Sequence, residues 1–450
     1  MRHGMQSAMK IHNRIVFVSV LVLSLITSNR YICQALVTEE ALKNWPLPCY
    51  QGEKLNEVRM WEKTWAGKRI NQDSIDLVKD FLSEQYYQIY KNPMDWGADE
   101  LWFTIVPYEQ VLPTPGQTAA TRKYAPGARL AAEPRTAYWN GGIGPNEFLS
   151  GWDKGETAGF PFPFPESGLE IAWNLESVTH GDAKSYKRES SLINPQTRVE
   201  KRIVETLTID YFTGRVDAPP IPLKSVNNKG IRKGSYMAVV EPSDIKGLMY
   251  LELRYLDVEK PEDVWSWVAM VRRLRRLGVT WKLDTMHGSE MLPDDENGWN
   301  NHVNLKNWQL VGRKEMLLGR HTDATKYTRR HGQVVWNGQQ LERINTFVVE
   351  AHYKDPHSPY SKEILYIDPE MWRCLQKVAW DRQGRMWRQF FYHTEMVTRM
   401  QGIVQPHCIE LHSIDMQKKR GSPGKDSVME IGQQIPDNFW TVQQLQKMGY

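Results

Sequence analysis

Residues 199–212, VEKRIVETLTIDYF, form a long run rich in β-branched side chains that ends at the turn pair Thr213-Gly214. Val, Ile and Thr favour strands because their branched side chains pack well on a pleated surface. Turn pairs such as Asn297-Gly298 and Gln383-Gly384 separate further runs of this kind. These runs span residues 235–240, 249–256, 264–268, 308–311, 343–352, 364–367, 375–380 and 387–394. The spacing predicts a mainly β (α+β) protein with a large antiparallel sheet, and a sheet of about ten strands curls or closes into a half-open barrel.

The chain before the sheet has a different composition. Apolar residues recur at helical spacing after Asn71 or Asp73, and Ser83 begins a second helical pattern that Pro93 closes. Residues 106–167 are rich in Pro and Gly, which predicts a long wrapping loop with few regular elements.

Residues 169–173, LEIAW, alternate apolar and other side chains, and we interpret them as the first strand of the sheet. The predicted organisation is a signal peptide (1–35), an N-terminal helical and Pro/Gly-rich wrapping segment (36–167), an antiparallel sheet domain (168–430) and a C-terminal tail or short helix (431–450).

Residues 1–35 follow the order of a secretory signal peptide. A basic start precedes the apolar run IVFVSVLVLSLI at residues 15–26, and the small residues Cys33 and Ala35 precede a cut. The apolar run is shorter than the roughly 20 residues that span a bilayer. The pattern predicts a bacterial protein exported to the periplasm, soluble or attached to the surface of the outer membrane. An uncleaved anchor and a lipid-modified Cys33 stay open as alternatives.

Composition excludes some classes of function. The 450 residues contain 57 basic and 53 acidic side chains, a net charge of +4 that gives no case for nucleic acid. After residue 35 three cysteines remain, Cys49, Cys374 and Cys408, which is not a disulfide framework, although one bridge is allowed. The 18 Trp and 19 Tyr suit cores, ligand grooves and membrane-facing surfaces.

Local catalytic motifs are missing from the sequence. It contains no phosphate-binding loop, no G-x-S-x-G elbow and no H-E-x-x-H helix. The acidic stretch Asp294-Asp295-Glu296-Asn297-Gly298 lacks the spacing of a calcium loop and is interpreted as a polar hairpin turn. We therefore predict no catalytic residue, no metal site and no cofactor. A hydrolase assembled from distant residues stays open as an alternative.

Two residue sets are candidates for binding. Tryptophans on the concave face of a curled sheet would line an apolar cavity. The candidate wall residues are Trp173, Trp265, Trp267, Trp308 and Trp387. The second set is the basic run Arg272-Arg273-Leu274-Arg275-Arg276, which is either a solvated strand edge with inward leucines or a patch for anionic headgroups or an acidic partner.

Several separate motifs, in order along the chain, are similar to those of the bacterial family DUF1329, which is grouped with outer-membrane lipoprotein-sorting proteins. The resemblance spans roughly residues 55–450. The motifs are Gly159-Phe160-Pro161-Phe162-Pro163, Gly168, Trp173-Asn174, Asp263-Val264-Trp265-Ser266-Trp267, Arg272-Arg273-Leu274-Arg275-Arg276, Trp308-Gln309-Leu310-Val311-Gly312-Arg313-Lys314-Glu315-Met316, Val348-Val349-Glu350-Ala351, Tyr366-Ile367-Asp368, Trp372, Asp381-Arg382-Gln383-Gly384-Arg385-Met386-Trp387-Arg388 and Phe439-Trp440-Thr441.

The resemblance implies a fold like that of the LolA and LolB carriers, which are half-open β-barrels with a helical lid over a cavity for acyl chains. It also implies a periplasmic role beside an envelope transporter of the resistance-nodulation-division type. The leading hypothesis is a non-catalytic carrier of a lipid or another hydrophobic molecule. The main alternative is an envelope interaction protein that docks a membrane transporter through the basic run.

Overall fold

The computed structural model describes residues 37–449 apart from 131–136, 139–154, 180, 225–226, 228, 259 and 399–401. The predicted signal peptide, residues 1–35, lies outside the described residues. Within the described part of the chain, no helix has both the length and the apolar character that crossing a membrane requires.

Strands dominate the described residues. They are β1 (Arg69–Ile70), β2 (Phe103–Ile105), β3 (Arg129–Leu130), β4 (Ala137–Tyr138), β5 (Ala183–Ile193), β6 (Val199–Tyr211), β7 (Ile231–Glu241), β8 (Met249–Tyr255), β9 (Asp263–Val268), β10 (Arg273–Leu277), β11 (Lys306–Leu318), β12 (Gln339–Tyr353), β13 (Lys362–Asp368), β14 (Arg373–Trp380), β15 (Met386–Thr398), β16 (Val404–Asp415) and β17 (Arg420–Ile431).

Fifteen of these described strands form one sheet, and β3 pairs only with β4. The order in the large sheet is β1-β2-β12-β13-β14-β15-β16-β17-β5-β6-β7-β8-β9-β10, and β11 also pairs with β12. All its pairings in the described residues are antiparallel except that of β2 with β12, which is parallel. The predicted mainly β fold is confirmed, as a large mixed sheet that is open rather than closed into a barrel.

Six α-helices occur in the described residues: α1 (Glu39–Lys43), α2 (Gly52–Trp65), α3 (Glu84–Lys91), α4 (Pro115–Tyr124), α5 (Gly168–Ser177) and α6 (Val442–Gly449). Ser83 caps α3 as predicted, because its hydroxyl accepts from the Tyr86 N–H. The helix expected after Asp73 is a 3-10 helix, Ile75–Phe81.

The interpretation of residues 169–173 as a strand is wrong, because they lie in α5. A capping box fixes the start of this helix: Ser167 Oγ accepts from the Glu170 N–H at 3.2 Å, and Glu170 Oε2 accepts from the Ser167 N–H at 3.0 Å. Five residues of alternating polarity are too few to separate a strand from a buried helix, and the capping signal was the better guide.

The other predicted strand runs lie in β6–β9 and β11–β15. Three neighbouring central strands, β16, β17 and β5, were not predicted. Strand β17 contains Pro423, Gly421 and Gly424, and β16 contains Pro406, all residues that are rare in strand interiors. Their long ladders with β15 and β5 therefore override a weak local preference.

Both faces of the β12–β16 half of the sheet are covered. On the face called here the inner face, Phe347, Leu365 and Phe390 pack against Ile171 of α5 and Leu292. On the opposite, outer face, the N-terminal helices cover the sheet through residues that include Tyr86, Ile89, Phe391 and Ile414. The helical and wrapping segments that precede the long strands therefore pack against the sheet and form part of the core.

Residues 278–305, between β10 and β11, are called the inner segment because they run across the inner face. The acidic stretch within it was expected to be a polar hairpin turn, and that prediction is wrong. Residues Pro293–Gly298 form a buried 3-10 turn, in which Asp294 and Asp295 are 1% and 0% exposed. Acidic side chains are buried in proteins only with partners that satisfy them, and here the partners come from distant strands.

A set of buried charges, called here the inner charge network, supplies those partners. Lys377 of β14 donates to Asp295 Oδ1 at 2.5 Å and to Glu363 Oε1 at 3.1 Å, and Lys306 donates to the other Glu363 oxygen. Burial by itself would lower the pKa of Lys377, but the two carboxylates outweigh it and raise that pKa well above its usual value. Arg188 similarly forms ion pairs at 2.8 Å with Glu296 and with Asp426 of β17.

Candidate functional site

The Phe-Pro run at residues 159–165 is fixed between α4 and α5 by two polar side chains. Because proline has no N–H, only Gly159 and the Phe residues of the run have backbone N–H groups that need acceptors. The Phe160 N–H donates to Thr121 Oγ1 at 2.9 Å, and the Phe162 N–H donates to Asn174 Oδ1 at 3.0 Å. Asn174 Nδ2 also donates to the Phe162 carbonyl at 2.7 Å. One buried amide thus satisfies both backbone groups of Phe162.

We expect Asn174→Ala to lower the free energy of unfolding by about 2–3 kcal/mol, because it leaves a buried N–H and a buried carbonyl of Phe162 without partners. Urea denaturation followed by tryptophan fluorescence measures this loss. The control is Gln383→Ala, which removes an exposed amide and should change the stability by less than about 0.5 kcal/mol. Equal stability of the two variants would contradict the assignment.

An open groove of about 500 Å³ lies beside this run and is called here the aromatic groove. The rings of Phe347 and Trp372 stack at its wall, with centroids 5.8 Å apart and an interplanar angle of 19°. Both rings belong to the inner-face core, so the groove exposes the rim of that core. The lining residues are Trp45, Leu47, Pro48, Cys49, Gln51, Pro163, Phe164, Pro165, Glu166, Arg313, Phe347, Pro369 and Trp372.

Arg313 of β11 is the cation of the groove. Its guanidinium carbon lies 4.1 Å from the centre of the Phe347 ring. Within the described residues no carboxylate pairs with it, whereas Arg343, which lies opposite Leu317 further along the β11–β12 ladder, forms ion pairs with Glu57 and Glu315. Burial lowers the pKa of Arg313 below its usual value, since desolvation disfavours its charge. A partly desolvated cation beside an apolar wall is suited to bind an anionic group.

The groove carries one thiol, that of Cys49. Burial, together with the nearby carboxylates of Asp368 and Glu370, raises the pKa of this thiol well above its usual value. The thiol is therefore protonated at neutral pH, and a protonated thiol is a poor nucleophile. Cys49, Cys374 and Cys408 are all free, so none of these three forms a disulfide. The groove therefore offers a binding surface with one cation and no activated thiol.

A smaller and mostly apolar cavity, of about 70 Å³, lies between β6–β8 and the inner segment. Its apolar lining includes Leu207, Met237 and Trp281, and Lys233 also faces it. Burial lowers the pKa of Lys233 to about 7, and its ammonium donates to Asn300 Oδ1 at 2.6 Å. A space of this size holds only a few water molecules, so an acyl chain does not fit while the inner segment is in place.

The five tryptophans predicted to line a cavity lie in three places. Trp173 and Trp308 pack in the core beside α5. Trp265 and Trp267 pack against the C-terminal segment, and Trp387 packs edge-on against Tyr360. None of the five lines the aromatic groove or the smaller cavity. The structure thus does not bring them together, and their role in binding stays a prediction.

The basic run lies where the sheet ends. Arg272 occupies the turn between β9 and β10 with φ 46°, and the strand β10 that follows pairs on one side with β9. Arg273 and Arg275 are exposed, Arg276 forms an ion pair with Asp263, and Leu274 packs at the edge of the core. Its role as a patch for headgroups or a partner stays a prediction at this point.

The hydrolase alternative needs a nucleophile next to a base. His287 Nε2 lies 2.9 Å from Glu205 Oε1 at a cavity of about 40 Å³ that serine side chains also line. No serine hydroxyl bonds to this ring within the described residues, where Ser289 and Ser422 bond to backbone groups instead. The described residues also contain no cluster of His, Cys, Asp and Glu that could hold a metal ion. At this cavity, therefore, the described residues do not pair His287 with a serine nucleophile.

Sequence reasoning did not find the aromatic groove. Its walls come from residues 45–51, 163–166, 313, 347 and 369–372, which have no common local pattern. The one available signal was that Pro163, Arg313 and Trp372 belong to three of the motifs quoted above. Only the folded structure shows that these residues lie on one surface.

Comparisons with known proteins found similar sequences and structures from bacteria. It is 26% identical over 431 residues to an uncharacterized protein of Pseudomonas aeruginosa, with 86% of this chain and 87% of that protein covered. A DUF1329 family protein from Desulfovibrio piger is similar in structure, with a TM-score of 0.45, 14% identity, and coverage of 62% of this chain and 97% of that one.

Two further crystal structures cover 62% of this chain. A putative outer membrane lipoprotein-sorting protein domain from Vibrio parahaemolyticus has a TM-score of 0.45, 16% identity and 98% of its own length covered. A LolA superfamily protein from Nitrosomonas europaea has a TM-score of 0.38, 14% identity and 100% of its length covered. The sequence model of the family described as "Protein of unknown function (DUF1329)" matches residues 69–446. The chain therefore belongs to the DUF1329 family.

Proposed function

We propose that this protein is a periplasmic, non-catalytic carrier that binds a lipid-like molecule, with an apolar chain and an anionic head, in the aromatic groove. The observation that carries the proposal is Arg313, a cation with no carboxylate partner in the described residues, at a wall of stacked aromatic rings. Such a surface offers dispersion contacts to a hydrocarbon chain and a charge-assisted hydrogen bond to its head.

The size of the groove supports this class of ligand. Its volume of about 500 Å³ lies within the range of roughly 300–1,000 Å³ that is usual for small-molecule sites. Each methylene removed from water contributes about 0.8 kcal/mol, so affinity would grow with chain length while binding stays reversible. Carriage without covalent chemistry needs only such reversible binding.

Compartment and partners belong to the same proposal. The signal-like residues 1–35 support export to the periplasm, and the family resemblance suggests a transporter of the resistance-nodulation-division type as the partner that exchanges cargo. Native mass spectrometry and lipid extraction of the protein purified from its own periplasm test the cargo class. A discrete bound lipid supports the proposal, and a protein that is empty and binds no added fatty acid contradicts it.

Arg313→Met provides a sharper test with a fluorescent fatty acid, cis-parinaric acid. We expect about 10- to 100-fold weaker binding of the acid, because a hydrogen bond to a charged group is lost, and little change for the uncharged methyl ester. Fluorescence titration measures both. The matched control is Arg330→Met, which removes an exposed arginine that pairs with Asp99 and should leave both affinities unchanged.

The wall is tested separately by Leu47→Asp, which places a charge on an exposed lining residue without disturbing the core. Acid and ester should both bind more weakly, because a carboxylate faces the hydrocarbon chain. Leu77→Asp, at an exposed leucine on the 3-10 helix before α3, is the control. If Arg313→Met and Leu47→Asp both bind the probes like the unaltered protein, the groove is not the site.

A further inference from the structure

The turn that joins β9 and β10 exposes an apolar tip beside unpaired arginines. At this tip Met270 is 80% exposed and Val271 is 49% exposed. Arg272 follows directly, and Arg273 and Arg275 are exposed on β10. No carboxylate of the described residues pairs with these three arginines. The tip therefore combines two apolar side chains with three arginines that no described carboxylate neutralises.

The neighbouring turn between β7 and β8 lies against this tip. A Cβ added at Gly247 would stand 2.9 Å from the Cβ of Ala269, so the two turns are in direct contact. Lys246 on this turn is exposed, and the acidic residues near it, Asp244 on the turn and Glu241 at the end of β7, are paired with Lys201 at 3.0 Å and with Arg202 at 3.5 Å. The second turn thus adds positive charge to the surface of the first.

Protection of a sheet edge explains only part of this pattern. Charged side chains on an end strand such as β10 prevent pairing with other chains, and the arginines fit that role. Edge protection does not call for an exposed methionine and valine at the tip, since apolar exposure there promotes association. Apolar tips flanked by basic residues are instead the pattern of segments that lie in the interface of an anionic bilayer, where side chains enter the acyl boundary and arginines meet headgroups.

We propose that the β9–β10 turn docks this protein on an anionic phospholipid surface. Met270 and Val271 enter the interfacial layer, and Arg272, Arg273 and Arg275 contact the phosphate groups of the lipids. This inference goes beyond ligand carriage, and it does not depend on the aromatic groove, which lies on β11 and β12 at the other end of the strand order.

The test measures cosedimentation of the full-length mature protein with vesicles of phosphatidylethanolamine and phosphatidylglycerol, and with vesicles of phosphatidylcholine alone. We expect the triple variant R272Q/R273Q/R275Q to bind the anionic vesicles about 100-fold more weakly, at roughly 1 kcal/mol for each charge at the surface. The unaltered protein should prefer anionic vesicles and lose that preference as salt rises.

Two further variants complete the test. M270S/V271S keeps the charge and should still weaken binding, by about tenfold, because partial burial of two apolar side chains is lost. The matched control is K326Q/R330Q/K419Q, which removes three exposed charges elsewhere and should bind like the unaltered protein. All these variants should bind cis-parinaric acid normally, which separates this proposal from the groove. Equal binding of anionic and neutral vesicles, or unaltered binding by the triple variant, overturns it, as does capture of an acidic protein without any binding to vesicles.

Discussion

Replacing Lys377 by methionine is expected to lower the free energy of unfolding by about 3–5 kcal/mol. The substitution keeps most of the side-chain volume but leaves the Asp295 carboxylate buried without its cation, whereas Glu363 keeps its ion pair with Lys306. Lys377 and both carboxylates are fully buried, so water cannot take its place. An uncompensated buried charge is among the few defects that cost this much.

Urea denaturation of the variant measures the loss. The control is Arg385→Met, which breaks the ion pair of an exposed arginine with Asp381 and should cost less than about 1 kcal/mol. The double replacement K377M/D295N removes both buried charges of this pair and leaves Lys306 paired with Glu363, so it should recover part of the stability, because most of the penalty arises from the orphaned Asp295 carboxylate. A loss for Lys377→Met no larger than that for Arg385→Met would show that Asp295 and Glu363 are not held as described.

Lowering the pH is the second change that is expected to have a large effect on the stability of the protein. Burial lowers the pKa of His302 to about 4 and that of His412 to about 4, the latter despite the opposing carboxylate of Glu410. Each buried histidine is thus neutral in the folded protein at neutral pH, without the second ring proton that would give it a positive charge. Because an unfolded histidine takes up its proton near pH 6.5, the folded state is favoured fully above that pH and loses stability as pH falls towards 4. Each shift corresponds to about 3 kcal/mol over this window.

The urea midpoint measured between pH 7 and pH 4 tests this expectation. For His412→Gln we expect the free energy of unfolding to fall by about 3 kcal/mol less between pH 7 and pH 4 than in the unaltered protein. His357→Gln, at an exposed histidine, should leave this fall unchanged. One group works in the opposite direction. Burial raises the pKa of Asp294 to about 6, so the folded state gains stability as Asp294 takes up a proton below that pH. Identical pH profiles for the unaltered protein and His412→Gln would exclude the buried neutral state.

The strands that the sequence predicted are those whose own residues favour a strand. Residues 199–212 are rich in β-branched side chains, and residues 199–211 of this run form β6. Strand β17 could not be found in this way, since Pro423 and two glycines weaken its local signal and its pairing with β5 and β16 supplies the stability instead. Local pattern thus identified the strands with a strong preference of their own, and tertiary pairing decided the rest.

The candidate site was harder to predict for a related reason. Asp295 looked like a residue of an exposed acidic turn, because the sequence does not show that Lys377, 82 residues later, lies beside it. Arg313 likewise became a candidate binding residue only because it lies over Phe347 on the next strand, whose ring stacks on Trp372. A site that depends on contacts between side chains of different strands cannot be recognised from the spacing of residues in the sequence.

The place of β5 in the sheet has a consequence for how the chain reaches its native state. Strand β5, the first long strand of the sheet in chain order, lies between β6 and β17, the last strand, and in that ladder Arg188 pairs with Asp426 across 238 residues. A chain that is synthesised and exported from its N-terminus presents β5 first, so one edge of β5 stays unpaired until residue 431 is available. Such a high contact order makes folding slow, and it makes completion of the sheet a late event that joins its two halves at once.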